Sequence, residues 1–130
     1  MNIRFFLLAF LILTLLLGCV SARRIQRSII AEKAKQELIG MSKTDILSCA
    51  GNPLRSEKKD QYEDLIYVGS SRSVDQNGNV PGEARYCEVT FTFSNDKVTD
   101  ISYAGRTGGK DTVDEQCAFV VRNCLPKEKK

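Results

Sequence analysis

The chain of 130 residues contains no histidine. This absence excludes a Ser-His-Asp triad and a Cys-His pair, in which an imidazole activates the nucleophile. The catalytic alternative is a hydrolase with two facing carboxylates, but the adjacent pairs Glu63-Asp64 and Asp114-Glu115 fall at a predicted turn and a predicted helix start, where acids are common. We therefore expect a protein that is not an enzyme and that needs no cofactor.

The first 18 residues contain no acid and a single basic residue, Arg4. Residues 5–17 are apolar except for Thr14. A helix that crosses about 30 Å of hydrocarbon needs roughly 20 residues, so this run is too short to span comfortably. A basic start, a short apolar run and a small residue, Gly18, are the order of a secretory signal, which predicts a signal peptide at residues 1–18. The alternatives are an uncleaved anchor and a buried core helix.

The residues around the predicted cleavage site, Leu16-Leu17-Gly18-Cys19, resemble the lipobox of bacterial lipoproteins. The resemblance implies that Cys19 becomes the first mature residue and carries fatty acyl chains such as palmitate. Each buried methylene contributes about 0.8 kcal/mol, and two or more chains give stable anchoring. Because Val20 replaces the aspartate that retains many such lipoproteins in the inner membrane, we expect the periplasmic face of the outer membrane.

The anchor is followed by a predicted helical tether at residues 19–39, in which isoleucines recur at helical spacing. Arg23, Arg24 and Arg27 lie close to Cys19, and no acid precedes Glu32. Arginines at an anionic bilayer surface contribute about 1 kcal/mol each. They are candidate membrane-surface residues, and an ordinary solvated helix face is the alternative.

An α+β domain is predicted for residues 40–125. A second helix begins after the capping residue Ser42 and ends before Pro53. Strict alternation over residues 87–93 predicts a strand with one buried face, flanked by strands at residues 65–68 and 98–103. Thr112, followed three residues later by Glu115, predicts the cap of an extra C-terminal helix. The expected fold is thus two N-terminal helices, a three-stranded antiparallel meander and a C-terminal helix, with residues 126–130 as a basic solvated tail.

The five cysteines divide naturally between a lipid and two disulfides. With Cys19 acylated, an even number remains for an oxidising compartment: Cys49, Cys87, Cys117 and Cys124. Cys117 and Cys124 lie about 10.5 Å apart on a continuous helix, whereas a disulfide needs Cα atoms within about 7 Å. Cys49 and Cys87 should therefore each pair with one of them, in an order that the sequence leaves open. No close cysteine pair suggests a zinc or redox site, and no metal is expected.

Parts of the domain resemble the SmpA/OmlA family of small outer-membrane lipoproteins (BamE-like domain). The residues that carry the resemblance are Gly40-Met41-Ser42-Lys43-Thr44-Asp45-Ile46, Gly51-Asn52-Pro53, Tyr67, Val89-Thr90-Phe91-Thr92-Phe93 and Lys97-Val98-Thr99-Asp100-Ile101. The resemblance implies a scaffold without catalysis that accompanies the insertion of β-barrels into the outer membrane. The loop at residues 70–85, the C-terminal helix and the four domain cysteines are additions to the family pattern.

These observations predict a lipid-anchored scaffold or interaction module in envelope or outer-membrane protein assembly. Its expected partners are membrane lipid, through Cys19, and an envelope protein. The candidate partner-binding residues are Thr90 and Thr92 on the solvent face of the central strand and Asn77 and Gly78 in the long loop. The alternative is a lipid-anchored inhibitor or ligand-binding module directed at an envelope enzyme. A net charge of only +3 argues against nucleic acid as a partner.

Overall fold

The computed structural model describes residues 3–79, 82 and 84–127, with side chains except at residues 3–5 and 13–21. Part of the predicted loop (residues 80, 81 and 83), the end of the predicted tail (residues 128–130) and the side chain of Cys19, the predicted lipidation site, lie outside this description. Two helices come first, α1 (Ile3–Glu37) and α2 (Lys43–Ala50). They precede four strands and two short helical segments.

The strands form one antiparallel sheet in the order β1-β2-β3-β4. They are β1 (Arg55–Lys59), β2 (Tyr62–Ser70), β3 (Tyr86–Ser94) and β4 (Lys97–Ala104). The prediction of a three-stranded sheet is therefore wrong. The additional strand, β1, has the sequence Arg-Ser-Glu-Lys-Lys and all five residues are exposed. An edge strand without apolar residues has no hydrophobic alternation that a sequence pattern could reveal.

The C-terminal helix is also shorter than predicted. A 3-10 helix, Glu115–Cys117, leads into a single α-helical turn, α3 (Ala118–Val121). The Thr112 hydroxyl accepts a hydrogen bond from the Gly109 amide, three residues before it, and the Glu115 amide donates to the Thr112 carbonyl rather than to this hydroxyl. Asp114 has a left-handed backbone (φ 63°), which interrupts helical geometry before Glu115.

The described part of the predicted leader and most of the predicted tether form one continuous helix, α1, which ends at Glu37. Its leader side chains from residue 6 to residue 12 are exposed. Among the described residues, no helix combines the length and the apolar character that crossing a membrane requires. The second half of α1 packs against the domain through Ala31, Ala34 and Leu38, the last of these just beyond the helix, and all three are fully buried.

The helices cover one face of the sheet, here called the inner face. The alternation predicted for β3 is confirmed, since Cys87, Val89, Phe91 and Phe93 are at most 2% exposed. Tyr67 of β2 meets Phe91 edge-to-face, with ring centroids 5.6 Å apart. At Gly69, a Cβ atom would approach the Gln116 carbonyl to 2.9 Å, so the 3-10 helix needs a glycine here to lie this close to β2.

Two disulfides tie the C-terminal segment to this core, which confirms their expected number. Cys49 of α2 is bonded to Cys124, with Cα atoms 4.9 Å apart. Cys87 of β3 is bonded to Cys117, with Cα atoms 5.0 Å apart. Cys117 and Cys124 are thus joined to different partners rather than to each other.

Candidate functional site

The face of the sheet opposite the helices, here called the outer face, carries polar side chains from all four strands. Register places Thr90 between Ile66 and Ser102, and Thr92 between Asp64 and Asp100. Thr90 and Thr92 are half-buried, and Ile66 is nearly inaccessible between its cross-strand neighbours. The structure therefore places both predicted threonines on a face that the protein's own helices leave open.

Opposite charges on the outer face neutralise one another. Arg55 reaches both carboxylate oxygens of Glu88 at 3.3 Å and one oxygen of Glu57 at 3.2 Å. The Thr92 hydroxyl donates to Asp64 Oδ1 at 2.7 Å. Exposed ion pairs of this kind contribute about 0–1 kcal/mol, so a partner that offers its own charges can replace them at little energetic cost.

The loop at residues 70–85 contains a tight turn that is built on Asp75. One carboxylate oxygen of Asp75 accepts hydrogen bonds from the amides of Asn77 and Asn79, each at 2.8 Å, and the other accepts from the Asn79 side chain at 2.9 Å. The bonds from Asn79 are the main reason that the pKa of Asp75 is lowered. The turn is therefore internally ordered rather than dependent on a partner.

Gly78 allows this turn to pack closely against Leu54. Its φ of +83° is left-handed, and an added Cβ atom would overlap the Leu54 side chain. Arg106 holds the other end of the loop, since its guanidinium donates to the carbonyls of Gly82 and Ala84 at 3.2 Å and lies 5.1 Å from the centre of the Tyr86 ring.

A cavity of about 370 Å³ lies between the turn and the outer face. Its walls include Asn77, Gly78, Arg55, Glu88 and Tyr86. Two of the four predicted partner-binding residues, Asn77 and Gly78, line this cavity, whereas Thr90 and Thr92 lie on the same face outside its walls. The alternation of β3 could have identified Tyr86 and Glu88, because they share the face of Thr90. No sequence signal identified Arg55, which lies on the unpredicted β1.

A larger cavity, of about 500 Å³, lies beside the end of β2. Pairing with β1 ends at Ile66, but β2 continues to Ser70. The strand edge that β1 leaves unpaired there is bordered by Pro53 and Phe119. Tyr67 also lines this cavity, and its hydroxyl donates to the Gly51 carbonyl at 3.0 Å. Burial raises the pKa of Tyr67 to about 12.

A third cavity, here called the arginine pocket, lies between α1 and the C-terminal segment and measures about 290 Å³. It is lined by Arg23, Gln26, Arg27, Ile30, Ala118, Phe119 and Arg122. Two of the three predicted membrane-surface arginines are thus brought together with Arg122. Arg24 is exposed and does not line the pocket.

In each of the two adjacent acidic pairs, Glu63-Asp64 and Asp114-Glu115, the two carboxylates bind different partners. Glu63 binds Lys43, whose Nζ lies 2.7 and 2.8 Å from the two carboxylate oxygens, whereas Asp64 accepts from Thr92. Asp114 pairs with Lys35 at 3.3 Å, and the buried Glu115 with Arg85 at 2.9 Å. Within the described part of the chain, no group of three or more Cys, Asp or Glu side chains is arranged to hold a metal ion.

Comparison with known proteins adds no relative to this description. No protein family matches the chain, and neither a curated protein nor a solved structure matches it significantly. Membership of the SmpA/OmlA family stays a prediction that is based on the sequence resemblance within residues 40–101.

Proposed function

We propose that the protein is a lipid-anchored interaction module on the periplasmic face of the outer membrane, where it acts as a scaffold in envelope or outer-membrane protein assembly. The observation that carries the proposal is the open outer face. The inner face is used for the core, whereas the outer face presents Thr90, Thr92 and exchangeable ion pairs beside an ordered turn.

The attachment of α1 to the domain supports a short connection to the membrane. The Tyr103 hydroxyl donates to the Ala31 carbonyl at 2.7 Å, and the Ser28 hydroxyl donates to the Val113 carbonyl. Cys19 lies nine residues before Ser28, which is about 13 Å of helix. A lipid on Cys19 would therefore keep the domain near the bilayer, where it could meet membrane-bound partners.

The exposed leader is consistent with removal of the signal peptide. The apolar side chains of residues 6–8 and 10–12 are 55–69% exposed, so they contribute little to packing in the domain. Cleavage before Cys19 would leave the buried contacts of Ala31, Ala34 and Leu38 in place. The mature chain would then keep the domain and lose an apolar surface.

The experiment that tests the proposal is site-specific photo-crosslinking in intact cells that produce the full chain. A photoreactive residue at Thr90 probes the outer face, and the same residue at the exposed Glu32 of α1 is the matched control. We expect a Thr90-specific adduct that contains a component of the barrel-assembly machinery. An adduct with an envelope hydrolase would support the inhibitor alternative instead, and equal labelling from both positions would contradict a partner surface on the outer face.

A further inference from the structure

The arginine pocket combines three cationic side chains with an aromatic ring. Arg23 and Arg27 come from α1, and Arg122 comes directly after α3. The guanidinium carbons of Arg27 and Arg122 lie 5.0 and 5.6 Å from the centre of the Phe119 ring. None of the lining residues is acidic. The pocket therefore concentrates positive charge around one partly buried ring.

Several cations of the domain have counter-ions that these three arginines lack among the described residues. Lys35, Lys43, Arg55 and Arg85 each contact a carboxylate. In the described residues, no carboxylate oxygen lies within 4.0 Å of Arg23, Arg27 or Arg122, and their guanidinium groups donate to no acceptor. Cation–π contact orients a guanidinium but uses none of its N–H donors. The donors stay available for an anion.

The position of the pocket favours an anion at the membrane. This step depends on the lipid anchor of the proposed function. Arg23 lies about 6 Å and Arg27 about 12 Å beyond Cys19 along the helix. The polar layer of each leaflet is about 5–8 Å thick. With α1 along the bilayer normal, a lipid on Cys19 would bring Arg23 to the level of the headgroup phosphates and Arg27 to about 4–7 Å beyond that layer.

Arg122 is held in place by the domain rather than by α1. Cys117 and Cys124, on either side of it in sequence, are both bonded to the core. The pocket is thus assembled between a helix and a crosslinked segment before any ligand arrives. Preorganisation of this kind reduces the entropy that binding must overcome.

We propose that the arginine pocket binds the phosphate group of an anionic membrane lipid. Guanidinium groups donate paired hydrogen bonds to phosphate oxygens, and three of them favour a headgroup with net negative charge. Phe119, Ile30 and Ala118 supply an apolar wall for the glycerol backbone and the first methylenes of the acyl chains. Free inorganic phosphate has no apolar part to place against that wall, so the lipid is the favoured source of the phosphate.

The test uses the full acylated protein in a neutral detergent, titrated with dihexanoyl phosphatidic acid and followed by the arginine Nε–H resonances. We expect the resonances of Arg27 and Arg122 to shift on saturation. Arg27→Gln and Arg122→Gln should each weaken binding about fivefold, the effect of losing one basic contact. The matched control is Arg24→Gln, which makes the same change of charge on the same helix outside the pocket, and it should weaken binding less than twofold.

Two results would overturn the proposal. A loss from Arg24→Gln equal to that from Arg27→Gln would mean that a diffuse basic surface, not the pocket, attracts the lipid. If inorganic phosphate bound as tightly as phosphatidic acid, the phosphate group in the pocket would not need to come from a lipid. The titration contains no protein partner, so a failure to bind the lipid would not change the crosslinking result expected for the proposed function. A failure to crosslink a protein at Thr90 would likewise not change the titration.

Discussion

Cys49 in the last turn of α2 is bonded to Cys124, 75 residues later in the chain. The bond fixes a C-terminal segment that has only one turn of α-helix, α3. Cys124 lies two residues after Arg122, so the crosslink is close to this side chain in the chain. Without it, the Cys87–Cys117 bond would still hold the start of the segment, but Arg122 would lose the crosslink that follows it in the chain. The disulfide therefore stabilises the domain and also positions one wall of the arginine pocket.

Removal of either disulfide should destabilise the domain strongly. In the chain-entropy description, crosslinks that close loops with separations of 75 and 30 residues contribute about 3–5 kcal/mol each. We expect Cys49→Ala/Cys124→Ala and Cys87→Ala/Cys117→Ala each to lower the free energy of unfolding by that amount in urea titrations. Reductant breaks both bonds, so it should destabilise the wild type more than either double variant, and it should leave a variant that lacks all four of these cysteines unchanged. Recovery of a Cys117–Cys124 peptide under non-reducing conditions would contradict the observed pairing.

The contact between Lys43 and Glu63 should make stability sensitive to acid. The hydrogen bond from Lys43 is the main reason that the pKa of Glu63 lies below its usual value of 4.5. A lowered pKa means that the folded state favours the carboxylate, so its contribution is present above pH 4.5 and is lost as the pH falls through the folded-state pKa. Glu63→Gln should therefore cost about 0.5–1 kcal/mol at pH 7, and this difference should shrink below pH 4.5.

The matched control for that experiment is Glu57→Gln. Glu57 lies on β1, and its ion pair with Arg55 is more exposed than that of Glu63 with Lys43. We expect this variant to change the free energy of unfolding by less at pH 7. If the two variants had equal effects at every pH, the Lys43–Glu63 contact would not be the source of the acid sensitivity.

Gly78 should be required for the position of the turn over Leu54. Gly78→Ala forces a left-handed residue and a clash with Leu54, whereas Gly82→Ala at φ +58° forces a left-handed residue in open space. The strained backbone should lower the free energy of unfolding of both variants by about 1 kcal/mol, but only Gly78→Ala should displace the turn. The methyl resonances of Leu54 are the measurement, and equal shifts in both variants would show that the clash is not what matters.

Cys19 should be the point of lipid attachment. Cys19→Ser should abolish acylation and leave residues 1–18 uncleaved, which intact-mass spectrometry of membrane extracts would show directly. The four domain cysteines should still form their two disulfides, because Cys19 is not part of either bond. A wild-type protein that carries no acyl group would disprove the anchor while leaving the fold untouched.

The sequence predicted best those elements whose pattern reflects burial. Cys87, Val89, Phe91 and Phe93 alternate with polar residues because one face of β3 meets the core and the other meets solvent. The residues of β1 lie at an edge, exposed on both faces, so burial imposes no pattern on them. The predicted length of the C-terminal helix is wrong for another reason. Thr112 and Glu115 have the spacing of a capping box, but the left-handed Asp114 between them starts only a 3-10 turn.

The candidate sites likewise include features that local sequence predicts and features that depend on tertiary packing. The sequence alone indicated the apolar leader with Cys19 at its end, the basic stretch with Arg23 and Arg27, and an even set of four cysteines, because these features depend on local composition and on parity. Only the tertiary structure decided which cysteines pair, and only it brought Arg122 and Phe119 against Arg27. These groups are about 90 residues apart in the chain, and their meeting depends on packing of α1 and the C-terminal segment against the same core, which no local pattern encodes.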